Sequence, residues 1–375
     1  MPLAFRLAAF YFAFFVHVSL LVAYFPPYLA ARGLSPAQIG WVLALPQIAR
    51  IVAPGAWGWF ADRSGAQRAV VIGASAVNVA CFALLPQMGD FGAIAWLMGA
   101  TSLVSTAALP LVEAITLGAL AGQPGRYGAI RVWGSIGFIV AVLGGGAWLE
   151  RYAVQNLPYA MLAFALATLG AAFLLPAPAL RAHALSPVHA PVDRAAAALL
   201  ASGFFIALAH GALYAFFTLH LQRSGYSTLV IGVLWMLGVL AEIGVFIFLP
   251  ALFRRYALST LLMASAGCAV VRFLAIGWAA DWLTVLVAAQ LLHAATFGSF
   301  HAASVAAVQR VFPAHAQARG QALFSSASSG AGGALGALAA GWAWQEGGPG
   351  IAFTLSSIAA LAGLFFAYPL RRAGL

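Results

Sequence analysis

Apolar residues fill this chain in long uninterrupted runs, and polar residues collect in the gaps between them. Breaking the sequence at glycine, proline and charge clusters gives twelve runs: 5–31, 36–60, 69–88, 91–120, 127–150, 157–176, 195–222, 228–251, 258–279, 282–308, 320–343 and 351–370. A helix needs roughly 20 apolar residues to cross a bilayer, and each run is of that order. The runs are continuous and rich in Ala, Leu and Val, whereas strands of a transmembrane barrel alternate over about ten residues. The pattern predicts an all-α integral membrane protein with twelve transmembrane helices.

The longest polar interruption is the proline-rich "PAPALRAHALSPVHAPVDR", Pro176 to Arg194. It reads as a linker (177–194) between a six-helix half at 1–176 and a second at 195–375. A repeat supports the division. "GLSPAQIGWVLALPQIAR" (33–50) lies over "GYSTLVIGVLWMLGVLAE" (225–242) at an offset of 225 − 33 = 192, which pairs Ser35 with Ser227, Ile39 with Ile231, Gly40 with Gly232 and Leu45 with Leu237. Two parallel pseudo-symmetric halves with a site at their midplane interface are a transporter architecture.

Composition excludes the alternatives. The chain is 64% hydrophobic and 7% charged, with a mean hydropathy of +0.97, where a soluble domain carries about 25% charged residues. The net charge of +10 comes from arginine alone, since there is no lysine. The arginines punctuate the gaps between runs and do not cluster on a polar face, which argues against nucleic acid. With an even helix number both termini share a side. That side carries Arg6, Arg63, Arg68, Arg126, Arg181, Arg194, Arg254, Arg255, Arg310, Arg319, Arg371 and Arg372, against Arg32, Arg151 and Arg223 opposite. Twelve against three predicts cytoplasmic termini, in a bacterial inner membrane. The first run reads as a retained helix and not as a cleaved signal peptide. Cys81 and Cys268 fall mid-run and far apart, which predicts unpaired thiols. The sequence has no His-Glu-x-x-His, no Gly-x-Ser-x-Gly, no P-loop and no metal-ligand spacing, so it predicts neither an enzyme nor a cofactor. A monomer is expected.

One gap holds three ionic residues in eleven positions: "GWFADRSGAQR", between the second and third runs. Gly58, Asp62, Arg63, Gly65 and Arg68 resemble the signature loop of the major facilitator superfamily. The resemblance implies a role in gating, with Asp62 meeting a partner arginine or a helix N-terminus in one conformation and releasing it in another. The equivalent loop of the second half, "PALFRRYALS", places Arg254 and Arg255 at the positions of Asp62 and Arg63. Within the superfamily, "RYGAIRVWGSIGF" (126–138), "LWMLGVLAEIGVF" (234–246), "VVRF" (270–273) and "LLHAATFGSFH" (291–301) are similar to the phenylpropionate permease group and its lactose permease-like relatives.

Five charges fall inside runs: Arg50, Glu113, Arg131, Glu242 and Arg272. Each costs about 2.5–3.5 kcal/mol at mid-bilayer on insertion scales, so they are functional candidates. Glu113 on the fourth span and Arg131 on the fifth match the positions at which lactose permease binds its sugar, which implies a substrate site. Arg50 and Glu242 are repeat-equivalent and can point into the central cavity from opposite halves, and Arg50 and Arg272 join Glu113 and Arg131 as expected substrate-binding residues. The resemblance places Glu242, Arg272 and His293 in a proton-coupling group, although Thr296 stands where those relatives carry a second carboxylate. Burial raises a carboxyl pKa and a close arginine lowers it, so Glu242 is expected to carry the proton and Glu113, beside Arg131, to serve the substrate. His17, His210 and His301 read as packing residues. Three arginines against two glutamates give a net +1, and 13% of the residues are aromatic. The combination predicts proton-coupled uptake of a small aromatic carboxylate. Symport of a neutral sugar or nucleoside, and drug–proton antiport, remain alternatives. "GSIGFIVAVLGGGAW" (134–148) lacks the Gly-Pro pair that antiporters of the superfamily carry on the fifth helix.

Overall fold

The computed structural model describes residues 1–120, 125–177 and 192–375, the Asp62 side chain excepted. Most of the predicted linker, with Arg181, lies outside the described residues. Helix dominates, and there is no strand among the described residues. Lipid offers backbone groups no partner, so a spanning segment must satisfy them internally, as a helix does.

The first three spans are α1 (Leu3–Ala31), α2 (Pro36–Ser64) and α3 (Gln67–Leu84). The fourth is broken into α4 (Phe91–Ser105) and α5 (Ala108–Ala119), and α6 (Gly125–Leu149) and α7 (Leu157–Leu174) complete the first six. The seventh is α8 (Arg194–Ala209) and α9 (Gly211–Arg223), parted at His210. The eighth and ninth are α10 (Thr228–Arg255) and α11 (Leu258–Trp278). The tenth runs from α12 (Leu283–Leu291) through a π-helical stretch, Ala294–Ser299, into α13 (Phe300–Val311). Next come α14 (Gln317–Ser325), a second π-helical stretch, Ser326–Gly332, and α15 (Gly333–Ala367). Local sequence sets two of the starts. Asp90 and Asp193 are N-caps whose side chains accept from Ala93 N at 3.0 Å and Ala196 N at 2.7 Å.

Among the described residues, eleven apolar helical stretches are long enough to span a membrane, and the last, Ala314–Arg372, has 59 residues. At 1.5 Å per residue that is roughly 88 Å, far beyond a core of about 30 Å. It turns at Gly348, whose φ of 75° and ψ of −169° end one helix before Pro349 starts the next. A side chain is strained there and glycine is not. The stretch is therefore the eleventh and twelfth spans, as the sequence predicts.

The chain forms two compact units. One holds Met1–Leu34, Val52–Ala184 and Ser227–Gly232, and the other Ser35–Ile51, Leu185–Tyr226 and Val233–Leu375. In the first, α1 packs on α6 and α7 around Leu7, Phe10, Tyr11, Val112 and Ile130. In the second, α15 packs on α8, α9 and α11.

Within the first unit the start of α10 docks on the end of α6. The Leu229 N–H donates to Glu150 Oε1 at 3.1 Å, and the Thr228 hydroxyl donates to the Gly146 carbonyl at 2.8 Å. Glu150 thus caps a helix N-terminus, where a carboxylate is favoured. In the second unit the Ala37 N–H at the start of α2 faces Gln345 Oε1 at 3.4 Å. "GGAWLE" (145–150) and "GWAWQE" (341–346) both end on a carboxylate, but the cap is that carboxylate, Glu150, in the first and the amide one position earlier, Gln345, in the second. Hydrogen bonds from the Ser227 side chain and the Leu229 backbone hold the Glu150 carboxyl below its usual range. A depressed pKa contributes stability above the unfolded-state pKa, and that stability is lost as the pH falls through the folded-state value. Glu150→Ala is therefore expected to lower the melting temperature at neutral pH, with the deficit narrowing on acidification below about pH 4. A deficit that does not change with pH would contradict the charged cap.

Candidate functional site

Among the described residues, two constellations with charged side chains lie inside apolar spans, one in each unit. In the first, α5 presents Glu113 and α6 presents Arg131. Nε of Arg131 lies 3.8 Å from Oε1 of Glu113, with the side chains 31% and 36% exposed. That separation is an ion pair but too long for a hydrogen bond. The Tyr127 hydroxyl, one helical turn before Arg131, donates to Glu113 Oε1 at 3.4 Å. The Arg131 guanidinium carbon sits 4.3 Å over the Phe15 ring and 5.7 Å from that of Tyr11. Tyr11 donates to the Thr116 hydroxyl at 3.2 Å. The result is an accessible cation and carboxylate walled by three aromatic rings. Such a site can hold a planar apolar ligand that carries an anionic or hydrogen-bonding group.

In the second unit, Arg272 is fully buried on α11. It donates from Nε to the Ala289 carbonyl at 2.8 Å, from Nη1 to the Thr296 hydroxyl at 3.0 Å and from Nη2 to Gln290 Oε1 at 2.9 Å. All three acceptors belong to the tenth span, where the π-helical stretch starts. Thr296 thus serves as an acceptor for Arg272. Glu242 on α10 packs against the same stretch, since a methyl group on Gly298 would come 3.0 Å from its Cγ. Single π-turns are frequent at functional sites. His293 stacks on Phe297, with ring centroids 5.3 Å apart, and its ring lies 6.4 Å from that of His210. Nδ1 of His293 and Nε2 of His210 are buried with no hydrogen-bond partner among the described residues.

Arg50 is exposed, and it shares this unit with Glu242. Tyr214 lies within electrostatic reach of Arg50, Glu242 and Arg272, which joins the three sequence-predicted charges around one phenol. Tyr214 itself stacks on Trp235 at 6.4 Å. The structure thus brings Glu113 and Arg131 together in one unit, and Arg50, Glu242, Arg272 and His293 in the other. Tyr127, Tyr214 and Gln290 are partners that sequence reasoning missed. Tyr127 was legible as i and i+4 with Arg131, and Gln290 as a lone amide in "LTVLVAAQLL".

Two of the histidines read as packing residues make hydrogen bonds. His17 Nδ1 meets the Met161 carbonyl at 3.0 Å and its Nε2 meets Asn78 Nδ2 at 3.2 Å. With the amide donating to Nε2, Nδ1 carries the proton. His210 Nδ1 meets the Ile206 carbonyl at 2.8 Å. His301 stacks on Phe297 at 6.3 Å.

The charged loop joins α2 to α3. Gly58 lies in α2, Arg63 lies 5.7 Å from the Trp59 ring, and Gly65 turns the chain at φ 65°. Nη2 of Arg68 donates to the Phe173 carbonyl at 2.6 Å, and Nε of Arg6 donates to the Leu174 carbonyl at 2.5 Å. The two arginines satisfy the last carbonyls of α7, where cations are favoured. The Asp62 side chain lies outside the described residues.

Comparison with known proteins agrees with this architecture. The chain is 30% identical to a probable 3-phenylpropionic acid transporter of Escherichia coli (strain K12), over 96% of each chain. It is 28% identical to a maltose permease of Geobacillus stearothermophilus, over 93% of this chain and 90% of that one. A putative nucleoside transporter of Escherichia coli (strain K12), YegT, is 26% identical over 92% and 88%. Among solved structures, the nucleoside transporter NupG superposes with a TM-score of 0.85 at 18% identity, covering 99% of each chain. The peptide transporter POT gives 0.76 at 14%, covering 99% of this chain and 94% of that one. The likeness to the solved structures shows the fold alone. The MFS_1 like family model matches residues 4–355. The chain therefore belongs to the MFS_1-like family and is a multi-pass membrane transporter of the major facilitator type, not an enzyme.

Proposed function

We propose that this transporter takes up a small aromatic or otherwise apolar carboxylate together with protons. The observation that carries the reading is the accessible Arg131, set against Phe15 and Tyr11 and only loosely engaged by Glu113. A guanidinium binds a carboxylate through two parallel N–H bonds, and the rings offer apolar walls for the rest of the molecule. The Escherichia coli relative, a probable 3-phenylpropionic acid transporter, supports this substrate class. A second reading, a neutral sugar or nucleoside, is favoured by Glu113 and Tyr127, which suit hydroxyl and N–H groups, and by the maltose permease and nucleoside transporter relatives. Thermal-shift binding to the purified protein separates the two. 3-Phenylpropionate is expected to stabilise it and uridine and maltose are not, and the reverse outcome overturns the first reading.

The second constellation supports proton coupling. Glu242 packs on the π-helical stretch that Arg272 ties to α11, so its surroundings change if that stretch re-registers. Glu242 is the proposed proton carrier, with His293 beside it in the tenth span, and Arg50 and Arg272 set the positive field around them. Glu242→Gln is expected to abolish uphill uptake driven by a pH gradient while keeping counterflow exchange. If the variant still concentrates substrate, the carrier is another group. The relatives are bacterial and the arginine asymmetry favours cytoplasmic termini, which supports a place in the inner membrane. Asp62 is proposed to act in gating through its loop, by its match to the signature.

A further inference from the structure

Arg131 can hold a substrate carboxylate only at a position that Glu113 already influences. Phe15 covers one face of the guanidinium at 4.3 Å. Nη1 is tucked against Gly134, where even a methyl group would come within 2.7 Å. An incoming carboxylate is thus directed to the guanidinium edge that carries Nε, and Glu113 Oε1 stands 3.8 Å from that atom. Two ionised carboxylates crowded on one guanidinium repel each other, and such pairs share a proton. The other charged or titratable groups facing Glu113 are Tyr127 on α6, which donates to it, and Tyr11 on α1. Of the helices packed on α5, α4 has no ionisable side chain. α3 has Cys81, which is buried, and Arg68, which is bound to the Phe173 carbonyl.

We infer that Glu113 takes up a proton when an anionic substrate binds, so that the first site receives substrate and proton as a neutral pair. The inference rests on the carboxylate reading above. A proton from solvent bonds to a Glu113 carboxyl oxygen, the Arg131–Glu113 ion pair breaks, and an Arg131–substrate pair forms. The charge of the site is zero before and after. The protonated Glu113 keeps one oxygen to accept from Tyr127 and gains a donor toward the ligand. This proton is separate from the one proposed for Glu242, and it makes binding itself, before any movement, dependent on pH.

The test is calorimetric titration of the purified full chain with 3-phenylpropionate at pH 7.5, in buffers of different ionisation enthalpy. About one proton is expected to be taken up per substrate, with affinity falling close to tenfold per pH unit above neutrality. Glu113→Gln is expected to bind with no proton uptake and no pH slope. Glu150→Gln, which removes a carboxylate outside both constellations, is expected to keep the uptake, and the wild-type proton count tests the inference even if Glu113→Gln fails to fold. Binding to the wild type without proton uptake, uptake retained in Glu113→Gln, or uptake lost in Glu150→Gln would each overturn the inference. If the wild type binds uridine or maltose and no carboxylate, the substrate reading fails instead, and the inference falls with it.

Discussion

Replacing Arg131 with glutamine is expected to raise the dissociation constant for 3-phenylpropionate by about 10²–10³, the loss of two hydrogen bonds to a charged group. The guanidinium is the only cation set against the three rings of the first constellation among the described residues. Glutamine offers one neutral amide in its place. Because Arg131 is 31% exposed and its pair with Glu113 spans 3.8 Å, the substitution removes little that holds the helices together. The melting temperature should therefore stay near that of the wild type while binding weakens by that factor. Titration of both proteins checks this, and an affinity within about threefold of wild type would remove Arg131 from the substrate site.

Arg272→Met should do the opposite, destabilising the fold before any question of binding arises. The Arg272 side chain is fully buried and supplies three hydrogen bonds to the tenth span. Removing it takes the side-chain donor from the Ala289 carbonyl and Gln290 Oε1 in a dry interior and leaves the Thr296 hydroxyl only its 3.4 Å bond to the His293 carbonyl, at about 1–3 kcal/mol for each buried group left unpaired. Arg272→Lys should rescue little, since one compact ammonium cannot reproduce a planar fork with three separate acceptors. Thermal melts of detergent-solubilised protein read the effect. A lysine variant that melts like the wild type would show that charge matters there and geometry does not.

These two arginines also show how far the sequence could be read. Both stood out because a charge inside an apolar run is conspicuous, and the spans themselves follow from hydropathy and length. The Arg131–Glu113 pairing was expected as well, but the surroundings of Arg272 were not legible. Arg131 meets an exposed carboxylate on a neighbouring helix. Arg272 is enclosed by a carbonyl, a hydroxyl and an amide whose approach depends on how α11 packs on the tenth span, a tertiary register that no run of residues encodes. The π-helical stretches were equally hidden. "AATFGS" and "SASSGAG" carry no residue that an α-helix excludes, so nothing in them marks the π-turn. Thr296 stood out as a missing carboxylate and proved to be the acceptor that anchors Arg272. The break at Gly348 followed from a Gly-Pro pair, and the caps at Asp90 and Asp193 follow from residue type. The Glu150 cap escaped notice because its partner lies 79 residues away.

The central claim is that an inward proton gradient drives a carboxylate into the cell through the Arg131 site. The most direct measurement is uptake of labelled 3-phenylpropionate into proteoliposomes with an acidic exterior and no other ion gradient. The account predicts accumulation above the outside concentration, collapse on adding a protonophore, and no accumulation with Arg131→Gln. Accumulation that persists after the pH gradient is abolished, or that Arg131→Gln sustains, would contradict it.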